Sequence, residues 1–210
     1  ARIAHRWIDS NDAAEGALSA AIEQSAAGLV AYLYGALLAP GALSEIARAA
    51  GKQETVDLFY GDDDRILADG QRQDPFFKPQ FSPDLLNSYN YIGAFFVARR
   101  AVALAVAEVC EGAEFDHAYA MVLRFAEQTP RIERIPKVLS HRIGPPVDDA
   151  RSAAEKQGAS DRARAALEAH LRRIAAPATV QAINSSSFHV RYQLESTPRI
   201  SIVIPTGGKV

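Results

Sequence analysis

Three consecutive aspartates are the residues whose type and position most clearly suggest chemistry. Asp62, Asp63 and Asp64 directly follow residues 56–60, an apolar run with the composition of a buried strand. Ligands of α/β proteins bind beyond the carboxyl ends of strands. The aspartates are therefore predicted to face a ligand at the edge of a sheet. Two alternatives stay open: a solvated acidic turn, and a simple cation site unrelated to a larger substrate.

A proline- and aromatic-rich loop follows the aspartates and leads to a second apolar run. The loop contains three phenylalanines, Phe76, Phe77 and Phe81. They either stack on a ligand or fill the core, because so much apolar surface must pack on something. Asn90 and Tyr91 end the loop and are further candidate ligand-binding residues. Residues 56–100 as a whole predict the rim of a binding site.

Composition limits the class of protein. The chain has 210 residues, of which 48% are apolar, enough for one domain of α/β size. A net charge of -2 gives no basic surplus of the kind that nucleic-acid binding needs, so no nucleic-acid partner is predicted. The single cysteine, Cys110, excludes an internal disulfide framework. The first residues lack the apolar core of a signal peptide, and glycines or charges interrupt each long apolar run.

The spacing of apolar residues predicts alternating helices and strands. Helices are predicted over residues 13–26 and 42–50, and strands over residues 29–34 and 56–60. This order needs crossover connections, so the predicted fold class is α/β, with a mixed, mostly parallel sheet flanked by helices. Later patterns predict a strand at 91–98, helices at 99–109 and 116–128, and extended segments within 132–141.

A break in composition at Gly144 divides the chain. Residues 1–145 are predicted to form the α/β domain and residues 146–176 a helical linker. Residues 177–210 are predicted to form a β segment that ends in an apolar strand at 200–204. An exposed strand of that kind seeks a free sheet edge, in its own chain or in a second copy. A homodimer through residues 200–206 is therefore predicted.

Six segments, in this order, carry a resemblance to a known family: ALSAAIEQSAAGLVAYL, LLAPGALSEIA, VDLFYGDDDRI, DPFFKPQFSPDLLNSYNYIGAFFVARR, RIERIPKVLSHR and ALEAHLRRI. The chain resembles bacterial family 2 glycosyltransferases, as found in multidomain enzymes that build O-antigen and other surface polysaccharides. The resemblance implies a GT-A fold and an inverting transfer of a sugar from a nucleotide-sugar to a glycan acceptor. It also implies a divalent cation, Mn²⁺ or Mg²⁺, on the diphosphate.

The resemblance assigns roles to individual residues. Asp62–Asp64, Asn90 and Tyr91 fall on the substrate side of the site. His141 falls where a histidine approaches the metal or the diphosphate, although lone histidines are more often structural. Asp116 lies close to the place of the catalytic base.

Two functional positions depart from the family pattern. The places expected for the metal-binding carboxylates hold Tyr34, Gly35 and Ala36. The acidic positions expected near the base fall on Ala118 and Ala120. These losses predict little or no transfer by the 210 residues alone. They also favour an alternative function, a degenerate GT-A domain that serves as a glycan-binding or scaffold module.

The resemblance implies surroundings as well. The family's first strand lies upstream of residue 1, and residues 200–206 match such a strand, so they are predicted to begin a following domain. A neighbouring glycosyltransferase domain is therefore a predicted partner. The predicted location is the cytoplasm, and peripheral attachment to the inner membrane is left open.

Overall fold

A computed structural model describes residues 20, 22–110, 117–144, 153–194, 196–197 and 199–205. Most of the helix predicted over residues 13–26 and the candidate base Asp116 lie outside the described residues. The strands are β1 Leu29–Leu33, β2 Ala36–Leu38, β3 Leu58–Ile66, β4 Arg72–Phe76, β5 Phe95–Arg99, β6 Ile132–Ile143, β7 Ala178–Ala182 and β8 Phe188–Tyr192. The helices are α1 Ala42–Lys52, α2 Pro83–Ser88, α3 Arg100–Val109, α4 Ala118–Gln128 and α5 Ala153–Arg173.

Six strands form the main sheet, in the order β1-β5-β3-β6-β2, with β4 paired to β3. The central strand β3 shares one of its sides between two partners. Leu58–Tyr60 pairs with β5, whereas the segment from Asp63 to Ile66 pairs with β4. On its other side β3 pairs with β6 along its whole length. This strand is therefore hydrogen-bonded on both sides where the aspartates lie.

The prediction of a mostly parallel sheet is wrong. Of the five strand pairings in the described sheet, only that of β3 with β6 is parallel. The chain leaves β3 through β4, which runs antiparallel from Ile66 back to Asp63, and through the short helix α2. It then enters β5 beside Tyr60 and runs antiparallel to β3. β1 and β3 do share a direction, but β5 lies between them.

The predicted end of the central strand at Tyr60 is also wrong. β3 continues through the three aspartates to Ile66. The strand continues because β4 and β6 both bond to this half, and because side chains from elsewhere neutralise the carboxylates. The prediction of ligand-facing aspartates and the alternative of a solvated acidic turn both placed these residues after the strand. They instead lie buried within it.

Alternating side chains of β3 pack on the two faces of the sheet. Phe59 belongs to the core under α1, with Ile46 and Leu139. Leu58 and Tyr60 belong to the larger core on the opposite face, which also holds residues of α3, α4 and α5. Two buried layers therefore clamp the central strand, which fixes the positions of the side chains along it.

Helix α5 and the β7–β8 hairpin pack against this larger core. Leu167, Leu171 and Phe188 belong to it. Phe188 stacks on Tyr119 of α4, with ring centroids 6.5 Å apart. The hairpin and the predicted linker helix thus share a core with the sheet, and the predicted three-part division stays a prediction.

Residues 199–205 form neither helix nor strand in this single chain. Ile200 and Ile202 are 81% and 82% exposed. The predicted homodimer and the predicted following domain through this segment stay predictions. Among the described residues, no helix is long and apolar enough to cross a membrane.

Candidate functional site

Asp62 is held by a two-pronged ion pair. Arg134 of β6 donates from Nε to Oδ1 at 2.9 Å and from a terminal nitrogen to Oδ2 at 2.7 Å. The backbone N–H of Lys78 also donates to Oδ1, at 2.9 Å. Hydrogen bonding to Asp62 raises the pKa of Arg134. These bonds tie β3, β6 and the segment after β4 together.

Asp63 pairs with Lys78, whose side chain is fully buried. The ammonium lies 2.8 Å from Oδ2 of Asp63 and donates to the carbonyl of Ile92 at 2.7 Å. Burial lowers the pKa of Lys78, and the Asp63 carboxylate opposes that effect. Arg142 Nε lies 2.7 Å from Oδ1 of Asp63, as an ion pair too bent to count as a hydrogen bond.

Asp64 contacts both an arginine and a histidine. Arg72 of β4 donates from Nε to Oδ2 at 2.6 Å. Oδ1 contacts Nδ1 of His141 on β6. The side chains of Asp64 and His141 are 5% and 6% exposed, whereas that of Arg72 is 52% exposed. Asp64 therefore links a buried imidazole to a cation at the surface.

Two glycines allow this packing. β3 is irregular in register with β6 on either side of Asp62. A Cβ on Gly61 would lie 2.4 Å from Leu139 Cδ1, so only glycine lets β3 approach β6 there. Gly93 has a φ of +83°, and a Cβ on it would lie 3.1 Å from Lys78 Nζ and 3.3 Å from Asp63 Oδ2.

Asn90 and Tyr91, the other predicted substrate-binding residues, lie in the turn formed by residues 89–94. Asn90 Oδ1 accepts a hydrogen bond from the N–H of Gly93 at 3.1 Å. Tyr91 is fully buried, and its hydroxyl accepts from the N–H of Ser82 at 2.7 Å. Their hydrogen bonds shape the turn next to Lys78. A direct role in substrate binding stays a prediction for both residues, as it does for the three aspartates.

The three loop phenylalanines separate in the structure. Phe76 and Phe81 pack on the larger core, as their core-filling interpretation predicts. Phe77 is 68% exposed.

The described residues do not fit the divalent cation that the resemblance implies. They contain no group of three His, Cys, Asp or Glu side chains that could hold a metal ion. The carboxylate nearest His141 is that of Asp64, which already pairs with Arg72. Tyr34, Gly35 and Ala36 supply no carboxylate between β1 and β2. The predicted metal role of His141 therefore lacks supporting ligands in the described part of the chain.

The register of the strands shows which residues lie opposite His141 on the two neighbouring strands. Across the β2–β6 pair, Leu37 lies opposite His141 and Ala36 opposite Arg142. Across the β3–β6 pair, Asp64 lies opposite His141. The imidazole thus lies on the strand next to the segment where the family pattern has its metal-binding carboxylates.

A second carboxylate–imidazole contact lies between two helices. Glu127 of α4 accepts from Nε and a terminal nitrogen of Arg173 and contacts Nδ1 of His170 at 2.8 Å. Burial works to raise the pKa of Glu127, but the bonds from His170 and Arg173 together outweigh it and leave the pKa lowered.

Farther along, α5 and β7 border an open cavity of about 730 Å³ whose lining includes Leu171, Arg172 and Val180.

Sequence reasoning missed Lys78, Arg134 and Arg142 as partners of the aspartates. A lysine among the three phenylalanines of residues 76–81 was the available signal, because a cation there must find a carboxylate when buried. The arginines are 72 and 79 residues away from their partners, and no local pattern connects them.

Comparison with known proteins gives two relatives. No protein-family model matches the chain. The chain is 36% identical over 168 residues to the O-antigen biosynthesis protein RfbC of Myxococcus xanthus, which is 80% of this chain and 13% of that protein. It is 33% identical over 203 residues to the uncharacterized protein y4gI of Sinorhizobium fredii, which is 94% of this chain and 22% of that protein. The chain therefore spans less than a quarter of the length of either relative.

Proposed function

We propose that the chain is a family 2 glycosyltransferase domain with a GT-A fold, acting in O-antigen or related surface-polysaccharide biosynthesis. It would transfer a sugar from a nucleotide-sugar to a glycan acceptor in the cytoplasm. The observation that carries the proposal is the similarity to the Myxococcus xanthus O-antigen protein over 80% of the chain. A mixed sheet flanked by helices is compatible with it. A divalent cation takes no part in the proposal, because the described donors do not fit one.

Calorimetry with a panel of UDP-, dTDP- and GDP-sugars tests the proposal, with and without Mn²⁺. We expect at least one donor to bind with a dissociation constant in the micromolar to millimolar range. Nucleoside diphosphate release, measured with oligosaccharides cleaved from bacterial lipopolysaccharide as acceptors, then tests transfer. Absence of binding by every nucleotide-sugar would contradict the proposal.

One observation favours a second candidate function. Tyr34, Gly35 and Ala36 occupy the places of the metal-binding carboxylates, which fits a degenerate domain that binds a glycan or a neighbouring domain without catalysis. The same assays separate the two functions. The binding module predicts oligosaccharide binding without nucleotide-sugar binding, whereas the enzyme predicts both.

A further inference from the structure

Transfer of a sugar to a hydroxyl needs a group that accepts the hydroxyl proton. In the described residues, the start of α4 offers no carboxylate for this task. Ala118 and Ala120 stand where the family pattern has acidic side chains, and Ala120 is buried. The predicted base Asp116 lies outside the described residues, so within them a proton acceptor would come from another part of the site.

Asp64 and His141 form a rigid pair on two adjacent strands. Oδ1 of Asp64 contacts Nδ1 of His141, and Arg72 holds the other oxygen of the same carboxylate. In its ionised form, paired with the Arg72 guanidinium, this carboxylate can only accept a hydrogen bond. In the neutral imidazole, the proton therefore lies on Nδ1, and Nε2 carries the lone pair.

Nε2 of His141 is left for a ligand. It has no hydrogen-bond partner among the described residues, and it is not one of the sealed, unpaired polar atoms of that part of the chain. The described contacts show which charged groups surround the pair. Asp64 faces the ring from β3, Arg72 reaches it from β4 through Asp64, and Arg142 on β6 pairs with Asp63. On β2, the residue opposite His141 is the apolar Leu37.

We propose that Asp64 and His141 form a proton-accepting pair, in which Nε2 of His141 takes the proton of an acceptor-sugar hydroxyl. This inference rests on the proposed function and names the group that performs its proton transfer. The hydroxyl oxygen forms the new bond to the anomeric carbon of the nucleotide-sugar, and its proton passes to Nε2. The bond between that carbon and the diphosphate breaks, and the nucleoside diphosphate leaves with the electron pair. Asp64 stabilises the resulting imidazolium.

The misfit between this chain and a metal site supports the assignment. In the family pattern, a histidine at this place approaches the metal or the diphosphate. Here the neighbouring position 36 is alanine, and the one carboxylate on the ring within the described part of the chain is shared with Arg72. His141 therefore has no role as a metal ligand in this proposal. Its contact with Asp64 holds it in the tautomer that a base requires. The pair also replaces the expectation of an inactive domain with that of measurable, metal-independent turnover.

Nitrogen-15 NMR of histidine-labelled protein tests the tautomer directly. At pH 8 we expect His141 to show a protonated Nδ1 and a bare Nε2. His117 is the internal control, because its Nδ1 accepts from the N–H of Ala120 at 3.4 Å and its proton must then lie on Nε2. The substitution Asp64→Asn should shift His141 toward the tautomer of His117. A bare Nδ1 in the unmodified protein, or protons on both nitrogens at pH 8, would overturn the inference.

Turnover tests the chemical role. His141→Gln keeps a group able to bond with Asp64 but cannot accept a proton, so nucleoside diphosphate release should fall about 100-fold or more. The apparent affinity for the nucleotide-sugar should change little, and His170→Gln should retain the unmodified rate. A folded His141→Gln protein with unchanged release would overturn the inference and leave the proposed function standing. Failure of every nucleotide-sugar to bind the unmodified chain would instead overturn the proposed function.

Discussion

The chain builds the same trio of side chains, a carboxylate, an imidazole and a guanidinium, in two places. The strand trio consists of Asp64, His141 and Arg72, and the helix trio consists of Glu127, His170 and Arg173. In both, the carboxylate contacts Nδ1 of the histidine. The carboxylate and imidazole side chains of both trios are at most 8% exposed. By composition, and by the burial of the carboxylate and the imidazole, the two trios cannot be told apart.

Their surroundings separate them. The helix trio joins α4 to α5, and both oxygens of Glu127 accept from Arg173, so its bonds link the two helices. The strand trio joins a row of further ion pairs around Asp62 and Asp63 and lies one strand away from Ala36. Position in the sheet, and not the choice of residues, therefore distinguishes the strand trio, for which we propose the proton transfer.

The largest stability effect is expected beside the strand trio, at Lys78. Lys78→Met keeps most of the side-chain volume but removes the cation from a fully buried position, which leaves Asp63 with Arg142 alone. Because removing one partner of a buried ion pair strands the other charge, the free energy of unfolding should fall by about 3–5 kcal/mol. Urea denaturation measures it.

Lys52→Met is the matched control for this substitution. Lys52 is exposed at the end of α1, so the same change there should be nearly neutral. Equal, small effects at both positions would show that the buried ion pairs of β3 do not stabilise the fold.

A smaller effect is expected in the helix trio, and it should depend on pH. Glu127→Gln removes the negative charge of the carboxylate that accepts hydrogen bonds from His170 and Arg173. Near neutral pH, the free energy of unfolding should therefore fall by about 1.5–3 kcal/mol. The pKa of Glu127 is lowered from 4.5 in the folded protein, so its stabilisation is present above that value and is lost as the pH falls through the folded pKa. The difference between the two proteins should therefore vanish in acid.

Unfolding curves measured between pH 7 and pH 2 test this dependence. Glu168→Gln is the control, because Glu168 forms only a half-exposed pair with Arg164 and should contribute little at any pH. A loss in Glu127→Gln that stays constant down to pH 2 would mean that packing, and not charge, joins α4 to α5.

The smallest expected effect compares two glycines with the same backbone angle. Gly93 and Gly70 both have a φ of +83°, so alanine strains either position by about 1 kcal/mol. Only at Gly93 would the new methyl group press on Lys78 and Asp63, since nothing lies within 4 Å at Gly70. Gly93→Ala should therefore be the more destabilising, by about a further 1 kcal/mol. Identical melting temperatures for the Gly93→Ala and Gly70→Ala proteins would show that the turn beside Lys78 accommodates the methyl group without further cost.

Local patterns predicted many elements of the fold. The apolar runs near β1, β3 and β5 were found, and α1, α4 and α5 were found from their helical spacing. Strand direction was predicted wrongly, because the alternation of helices and strands does not reveal that β5 inserts antiparallel between β1 and β3.

The candidate site was predictable only in part. Asp64 and His141 were both singled out, but as members of different subsites. Their contact depends on the register between β3 and β6, which are 66 residues apart at their nearest ends. The burial of Asp62 and Asp63 depends in part on Arg134 and Arg142, which come from the same distant strand. A run of three aspartates is typical of a solvated turn until those partners are known.

Nucleoside diphosphate release by matched histidine variants tests most directly that the strand trio, and not the helix trio, performs chemistry. Unmodified protein, His141→Gln and His170→Gln would be compared with the same nucleotide-sugar and oligosaccharide acceptor, without added metal. The predicted result is release by the unmodified protein, full release by folded His170→Gln, and about 100-fold less release by His141→Gln. Equal rates for the two variants, or no release by the unmodified protein, would contradict the account.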